Sequence, residues 1–144
     1  MIAVAFDHKG MRIREEVLKK LKKINLEHID LSHQGDDYPE LAVVVGKAIN
    51  THKARYGILV DSTGMGMCLA ANKISGIRAT ICRSSSDAAD ARQKFDANVL
   101  CLASDLDGIG HIIKEFFAID VPPAGNHQIR LQKFLKLLDP KAAK

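Results

Sequence analysis

The chain has 144 residues, 47% apolar and 26% charged, a length that fits one domain of about 100–200 residues and a composition neither disordered nor fibrous. Its 21 basic and 17 acidic side chains leave +4, an excess that favours an anionic partner but is too small to imply nucleic acid. Part of that excess lies in the tail, where Arg130, Lys133, Lys136, Lys141 and Lys144 face only Asp139. With 5% aromatic residues and no Trp, there is little material for base-stacking platforms.

Ile2 to Phe6 is a branched apolar run of the kind that forms a buried strand, interrupted by Asp7-His8-Lys9-Gly10. Ile13, Val17, Leu18 and Leu21 then recur at helical spacing. Glu27 to Leu31 predicts a second strand. Gln34 to Pro39 reads as a loop, with the Pro at the opening of a helix that carries Leu41, Val44, Val45, Ala48 and Ile49. Tyr56 to Val60 is the third strand, broken by Asp61-Ser62-Thr63-Gly64-Met65-Gly66, and Met67 to Lys73 is expected to be helical up to Gly76. Ile77 to Cys82 is the fourth strand, and Ser84 to Asp87 resembles a capping box before an Ala-rich helix that runs to Phe95. Asn98 to Leu102 is the fifth strand; helices near Ile109 to Phe117 and His127 to Leu138 close the chain. Strands alternating with helices of this length imply βαβ units, and fully apolar strands imply a parallel sheet covered on both faces. The expected fold is a single Rossmann-like three-layer α/β/α domain with a five-stranded parallel sheet.

Cys68, Cys82 and Cys101 share no close spacing and are odd in number, so neither a disulfide framework nor a zinc cluster is expected. Asp105-Leu106-Asp107-Gly108 opens like an acidic metal loop, but no acid follows at the spacing a calcium loop needs, so no metal is expected. The opening MIAVAF carries no basic segment before an apolar core, and no run approaches the ~20 apolar residues of a membrane span. The reading is a reduced, cytoplasmic protein without membrane contact.

Ligands of open parallel sheets bind outside the carboxyl ends of the strands. Asp7-His8, Asp61 to Gly66, Arg83-Ser84 and Ser104-Asp105 are therefore expected to face one crevice. In Ser62-Thr63-Gly64-Met65-Gly66 two glycines permit positive φ, so that consecutive N–H groups converge into a nest for a phosphate or a developing oxyanion. This is neither a dinucleotide fingerprint nor a Walker loop. Asp61 has three readings: a general base held against an apolar helix, an N-cap for the helix that begins near Met67, or a solvated loop acid. His8, at a strand end beside Asp7, reads as a ligand contact. His127 either points into the site or caps the last helix, and Lys94 either grips phosphate or sits in an ordinary salt bridge. Cys68, about one helical turn past the loop, reads as a small core residue.

AFDHKG, DDYPELA, YGILVDSTGMGMCLAANKISGIRA, FDANVLCLAS and GNHQIR follow one another as in the ribose-5-phosphate isomerase B and galactose-6-phosphate isomerase subunit family, which the chain resembles over essentially its whole length. The resemblance implies a cofactor-free aldose–ketose isomerase of a phosphorylated sugar, working through an enediol or enediolate, with each active site built from two subunits. The partners implied are the sugar phosphate and further subunits, as a homodimer, a tetramer or a heteromer with a related chain. By residue, it implies that Asp7 and His8 handle ring oxygen, hydroxyls or phosphate, that Tyr38 contacts substrate, that Thr63 opens the ring, and that Gly64 to Gly66 hold the enediolate oxygens. Arg130 matches a phosphate-binding arginine. Asp61, Thr63 and His8 form the expected catalytic set; Ser62, Met65, Asn72, Lys94 and His127 join Asp7, Tyr38, Gly64, Gly66 and Arg130 around the ligand.

Other positions depart from the family pattern. Asp61 stands where the ribose enzymes often carry a catalytic cysteine, and Met67 where other members carry a glutamate base. Lys94-Phe95 replaces a His-Asn pair given by the neighbouring subunit, and Asp105 and Asn126 replace phosphate arginines. The alternative left open is a non-catalytic or partner-dependent subunit, or a sugar-phosphate-binding paralogue, of the same fold.

Overall fold

The computed structural model describes residues 1–35, 37–120 and 123–138; Lys141 and Lys144 of the basic tail lie outside them. Five parallel strands, β1 (Ile2–Phe6), β2 (His28–Asp30), β3 (Tyr56–Asp61), β4 (Ala79–Ile81) and β5 (Val99–Ala103), form one sheet in the order β2-β1-β3-β5-β4. Around it lie α1 (Arg14–Lys23), α2 (Tyr38–Asn50), α3 (Met65–Ala71), α4 (Ser85–Phe95), α5 (Ile109–Ala118) and α6 (Asn126–Leu138). The expected three-layer α/β/α architecture is the one observed.

The core follows from strand alternation. Ile2, Val4, Phe6, Ile58, Val60, Leu100 and Leu102 point to one face, where Val17, Leu21, Ile113 and Phe116 of α1 and α5 cover them. Ala3, Ala5, Leu59, Val99 and Cys101 point to the other, under Leu41 and Val45 of α2 and Met67 and Ala71 of α3. The inner strands β1 and β5 are buried at every residue.

The edge strands are shorter than the sequence implies: β2 covers His28–Asp30 rather than Glu27 to Leu31, and β4 Ala79–Ile81 rather than Ile77 to Cys82. Each has a ladder partner on one side only. The helix placed at Met67 to Lys73 also shifts, to Met65–Ala71. Gly64, at φ +78°, starts it early. Asn72 ends it by spending its carboxamide on Ala79, whose N–H it accepts at 2.8 Å and whose carbonyl it bonds at 2.9 Å. Gly76, at φ +79°, belongs to the turn before β4 and not to the helix end.

Two caps confirm local expectations. Asp37 accepts the Tyr38 N–H at 2.8 Å, with Pro39 in the first turn of α2. Ser84 Oγ accepts the Asp87 N–H at 3.0 Å, and Asp87 reaches back to the Arg83 N–H at 2.8 Å.

The sheet order reverses direction between β1 and β3, so the crevice of an open α/β sheet opens at their carboxyl ends. Phe6 pairs with Val60, which puts Asp7 and Asp61 side by side as the next residues of adjacent strands.

Candidate active site

Asp7 folds back on its own turn. Its Oδ1 accepts the N–H groups of Lys9 at 2.9 Å and Gly10 at 2.7 Å, while its own N–H donates to the Val60 carbonyl at 3.1 Å. Gly10 is required here, because a methyl group on it would lie 2.2 Å from Val60 O. The turn is thus pressed onto β3, and His8 is left exposed at its tip. Beside it opens a cleft of about 500 Å³ lined by Asp7, His8, Met11, Arg14, Ser32 and His33.

Arg14 in that cleft is held by Asp30, Nε to Oδ2 at 2.6 Å. Burial pushes the Asp30 carboxyl up, but bonds from the Ser32 hydroxyl and N–H, with the Arg14 guanidinium, outweigh it and hold the group below the usual carboxylate value. Ser32, His33 and Arg14 were missed at the sequence level. The strand-end rule, applied to β2 as it was to the other strands, reaches Ser32 and His33.

The loop after β3 is organised by Asp61, which is 4% exposed. Its Oδ1 accepts the N–H groups of Thr63, at 3.0 Å, and Gly64. Its Oδ2 accepts the Met67 N–H at 2.8 Å. The Asp61 carbonyl in turn receives the Ser104 N–H at 2.9 Å, tying the loop to the end of β5. Thr63 Oγ1 accepts the Met65 N–H at 3.1 Å. Of the segment expected to form an anion nest, the Thr63 and Gly64 N–H groups, together with that of Met67 just beyond it, converge on the chain's own carboxylate. Met67 is fully buried in the core.

Tyr38 reaches this loop from the start of α2. A methyl group on Gly66 would lie 3.0 Å from Asp61 Oδ2 and 3.1 Å from Tyr38 Cε2, so a side chain there would crowd both. Ser62, Thr63 and Met65 are exposed on the outside of the loop.

The remaining predicted residues gather elsewhere. Asn72, Lys94, His127 and Arg130 line a second cleft, of about 910 Å³, together with Arg78, Phe95, Leu131 and Phe134. Asn72 is engaged with Ala79, as above. Lys94 takes the salt-bridge reading, with Nζ 2.8 Å from Asp90 one helical turn earlier. No ion pair or hydrogen-bond partner among the described residues engages the side chains of His127 or Arg130. Ser84 serves α4 as its cap, and Asp105 is exposed past β5. Among the described residues no group of three or more His, Cys, Asp or Glu is placed to hold a metal, and no helix is long and apolar enough to cross a membrane.

The three thiols differ in character: Cys68 and Cys101 lie on the sheet face covered by α2 and α3, and Cys82 on the opposite face. The Cys101 thiol hydrogen-bonds half-buried Cys68 and lowers its pKa, while burial pushes Cys101 itself well up. Burial also raises Cys82, to about 11.

With this geometry in hand, comparison with known proteins places the chain. Residues 2–134 match the Ribose/Galactose Isomerase family, to which the chain belongs. It is similar to the probable ribose-5-phosphate isomerase B of Mycoplasma pneumoniae, 42% identical over 107 residues that cover 72% of this chain and 70% of that one. It is also similar to ribose-5-phosphate isomerase B of Escherichia coli, 34% identical over 136 residues and 91% of each chain. Among solved structures, ribose-5-phosphate isomerase B of Mycoplasma genitalium with bound ribulose-5-phosphate superimposes with a TM-score of 0.84 at 33% identity, over 94% of both chains.

Proposed function

We propose that this chain interconverts an aldose phosphate and its ketose, with a pentose 5-phosphate of the ribose-5-phosphate type as substrate. The observation that carries this reading is the correspondence, over 94% of both chains, with an isomerase whose structure holds ribulose-5-phosphate. The reaction opens the sugar ring, moves a proton from C2 of the aldose to C1, and passes the O2 hydroxyl proton to O1. The two carbons exchange oxidation state within one molecule, so the balance calls for no external electron carrier.

On this reading the substrate lies over the carboxyl ends of β1 and β3. Thr63 is suited to ring opening: its Oγ1 accepts from Met65, which leaves the hydroxyl proton free to donate to the ring oxygen. His8 stands exposed at the neighbouring strand end, on a turn fixed by Asp7, and supplies the imidazole for the sugar hydroxyls or phosphate. Arg130 and His127 lie in a different cleft of the same chain. Their role is therefore to bind phosphate at the site of a neighbouring copy, and exposed Phe95 and Phe134 beside them give that copy an apolar surface to cover.

A second reading, a subunit that turns over only with a different partner chain, is favoured by Lys94 and Phe95, since the lysine is engaged by Asp90 and the phenylalanine offers no polar atom. One experiment separates the two. The purified chain is incubated with ribose 5-phosphate and galactose 6-phosphate, the ketose is followed by ¹³C NMR, and particle mass is measured by light scattering. Ketose from ribose 5-phosphate in a particle of two or more copies is the expected result. Absence of turnover on either aldose refutes the first reading and leaves the partner-dependent one.

A further inference from the structure

Asp61 stands at the position from which the family's cysteine acts, and its side chain invites the role of base. A general base must present a lone pair within hydrogen-bond reach of the proton it takes. Asp61 Oδ1 already accepts two N–H groups and Oδ2 a third. A methyl group on Gly66 would lie 3.0 Å from Oδ2, so the backbone of that residue stands directly beside the oxygen. At 4% exposure, the carboxylate faces its own loop and not the crevice.

We propose that Asp61 is a positioning residue, an internal anion that fills the backbone nest and thereby sets which groups are left to face the substrate. This rests on the isomerase reading above. Three donors of the loop, the Thr63, Gly64 and Met67 N–H groups, are withdrawn from the ligand by Asp61, and the Met65 N–H by Thr63 Oγ1. The Gly66 N–H meets no acceptor among the described residues, and the Thr63 hydroxyl keeps its proton to donate. These two donors, held in place by Asp61 through the backbone of Thr63 and Gly64, are the ones that meet the substrate oxygens. The proton on carbon is moved by another group.

Two substitutions separate positioning from base catalysis. Asp61→Asn keeps one oxygen for the Thr63 and Gly64 N–H groups but sets an NH₂ against the Met67 N–H; Asp61→Ala removes every acceptor. The expected result is graded: kcat falls about tenfold in Asp61→Asn and at least about a hundredfold in Asp61→Ala, and the pH profile of kcat/KM in Asp61→Asn superimposes on that of the parent. If Asp61→Asn is as inactive as Asp61→Ala, or its acidic limb moves, Asp61 is the base and the inference falls. Amide hydrogen exchange of the parent gives an independent check: Thr63, Gly64 and Met67 are protected, and Gly66 exchanges faster than all three. Fast exchange at Thr63 and Gly64 overturns the proposal whatever the kinetics show. A parent chain that isomerises no sugar phosphate, with those amides protected, strikes instead at the isomerase reading, and with it the claim that Asp61 acts on that reaction.

Discussion

Replacing Gly10 by Ala tests how tightly the Asp7-His8 turn is locked to the sheet. The added methyl would lie 2.2 Å from Val60 O, 2.8 Å from Val60 C and 3.1 Å from Val60 Cβ. Two of these are backbone atoms of a central strand, paired with β1 on one side and β5 on the other, so β3 cannot yield and the turn must lift by about 1 Å to reach ordinary contact. Lifting it breaks the Asp7 N–H bond to Val60 O and the buried Gly10 N–H bond to Asp7 Oδ1. A neutral bond contributes about 1 kcal/mol and one to a carboxylate about 1.5–3; residual overpacking adds about 1–3. The expected loss is about 3.5–7 kcal/mol, a large part of the roughly 5–15 that a domain possesses. Urea denaturation followed by far-UV circular dichroism measures it. Gly110→Ala in α5 is the control, because there the methyl meets only the flexible Lys20 side chain at 3.6 Å or more; a helical Gly-to-Ala change is neutral or stabilising by up to about 1 kcal/mol. A Gly10→Ala protein within 1 kcal/mol of the parent by this ~1 kcal/mol yardstick of a single bond would refute the account of the turn.

Asp30 contributes stability through a carboxyl whose folded pKa lies below its unfolded value. That contribution is complete above the unfolded pKa and is lost as pH falls through the folded one. Asp30→Asn should therefore be less stable than the parent at neutral pH, with the two thermal melting curves converging in strong acid; a gap that widens on acidification would contradict the assignment. Among the thiols, the lowered Cys68 should react first with iodoacetamide near pH 8, while Cys82, raised to about 11, and buried Cys101 should label only after unfolding. Peptide mass spectrometry reads the order, and early labelling of Cys82 would contradict it. Arg130→Ala should weaken sugar-phosphate binding at least about tenfold, the weight of one charge-assisted contact, without changing the fold. Isothermal titration checks it, and unaltered affinity would place the phosphate elsewhere.

The layered parallel sheet was legible in the sequence because its signals are local and repeated. Apolar runs of strand length alternate with 3.6-residue periodicity, and Pro39 and Ser84 mark helix starts through backbone chemistry that needs no distant partner. The end of the sheet at which the post-strand residues gather was legible too, since parallel strands place their following residues on one side. Element ends at the sheet edges were less so: Val99 and Ala79 owe their ladder to each other, and nothing within Ile77 to Cys82 says how far that pairing runs.

What only the tertiary structure decided is where each polar atom is spent. The sequence supplied Asp61 beside a glycine-rich turn and left it three roles: base, cap or solvated loop acid. Its three backbone bonds and its burial are settled only once the loop is packed: Oδ1 and Oδ2 are spent on the N–H groups of Thr63, Gly64 and Met67, and the residue is left 4% exposed. In the same way, Asn72 is claimed by Ala79 and Lys94 by Asp90, while Arg130 is claimed by neither. Sequence specifies which donors and acceptors exist; hydrogen-bond satisfaction in the packed fold decides which remain free for a ligand, because a buried polar group left without a partner costs more than any local preference can offset.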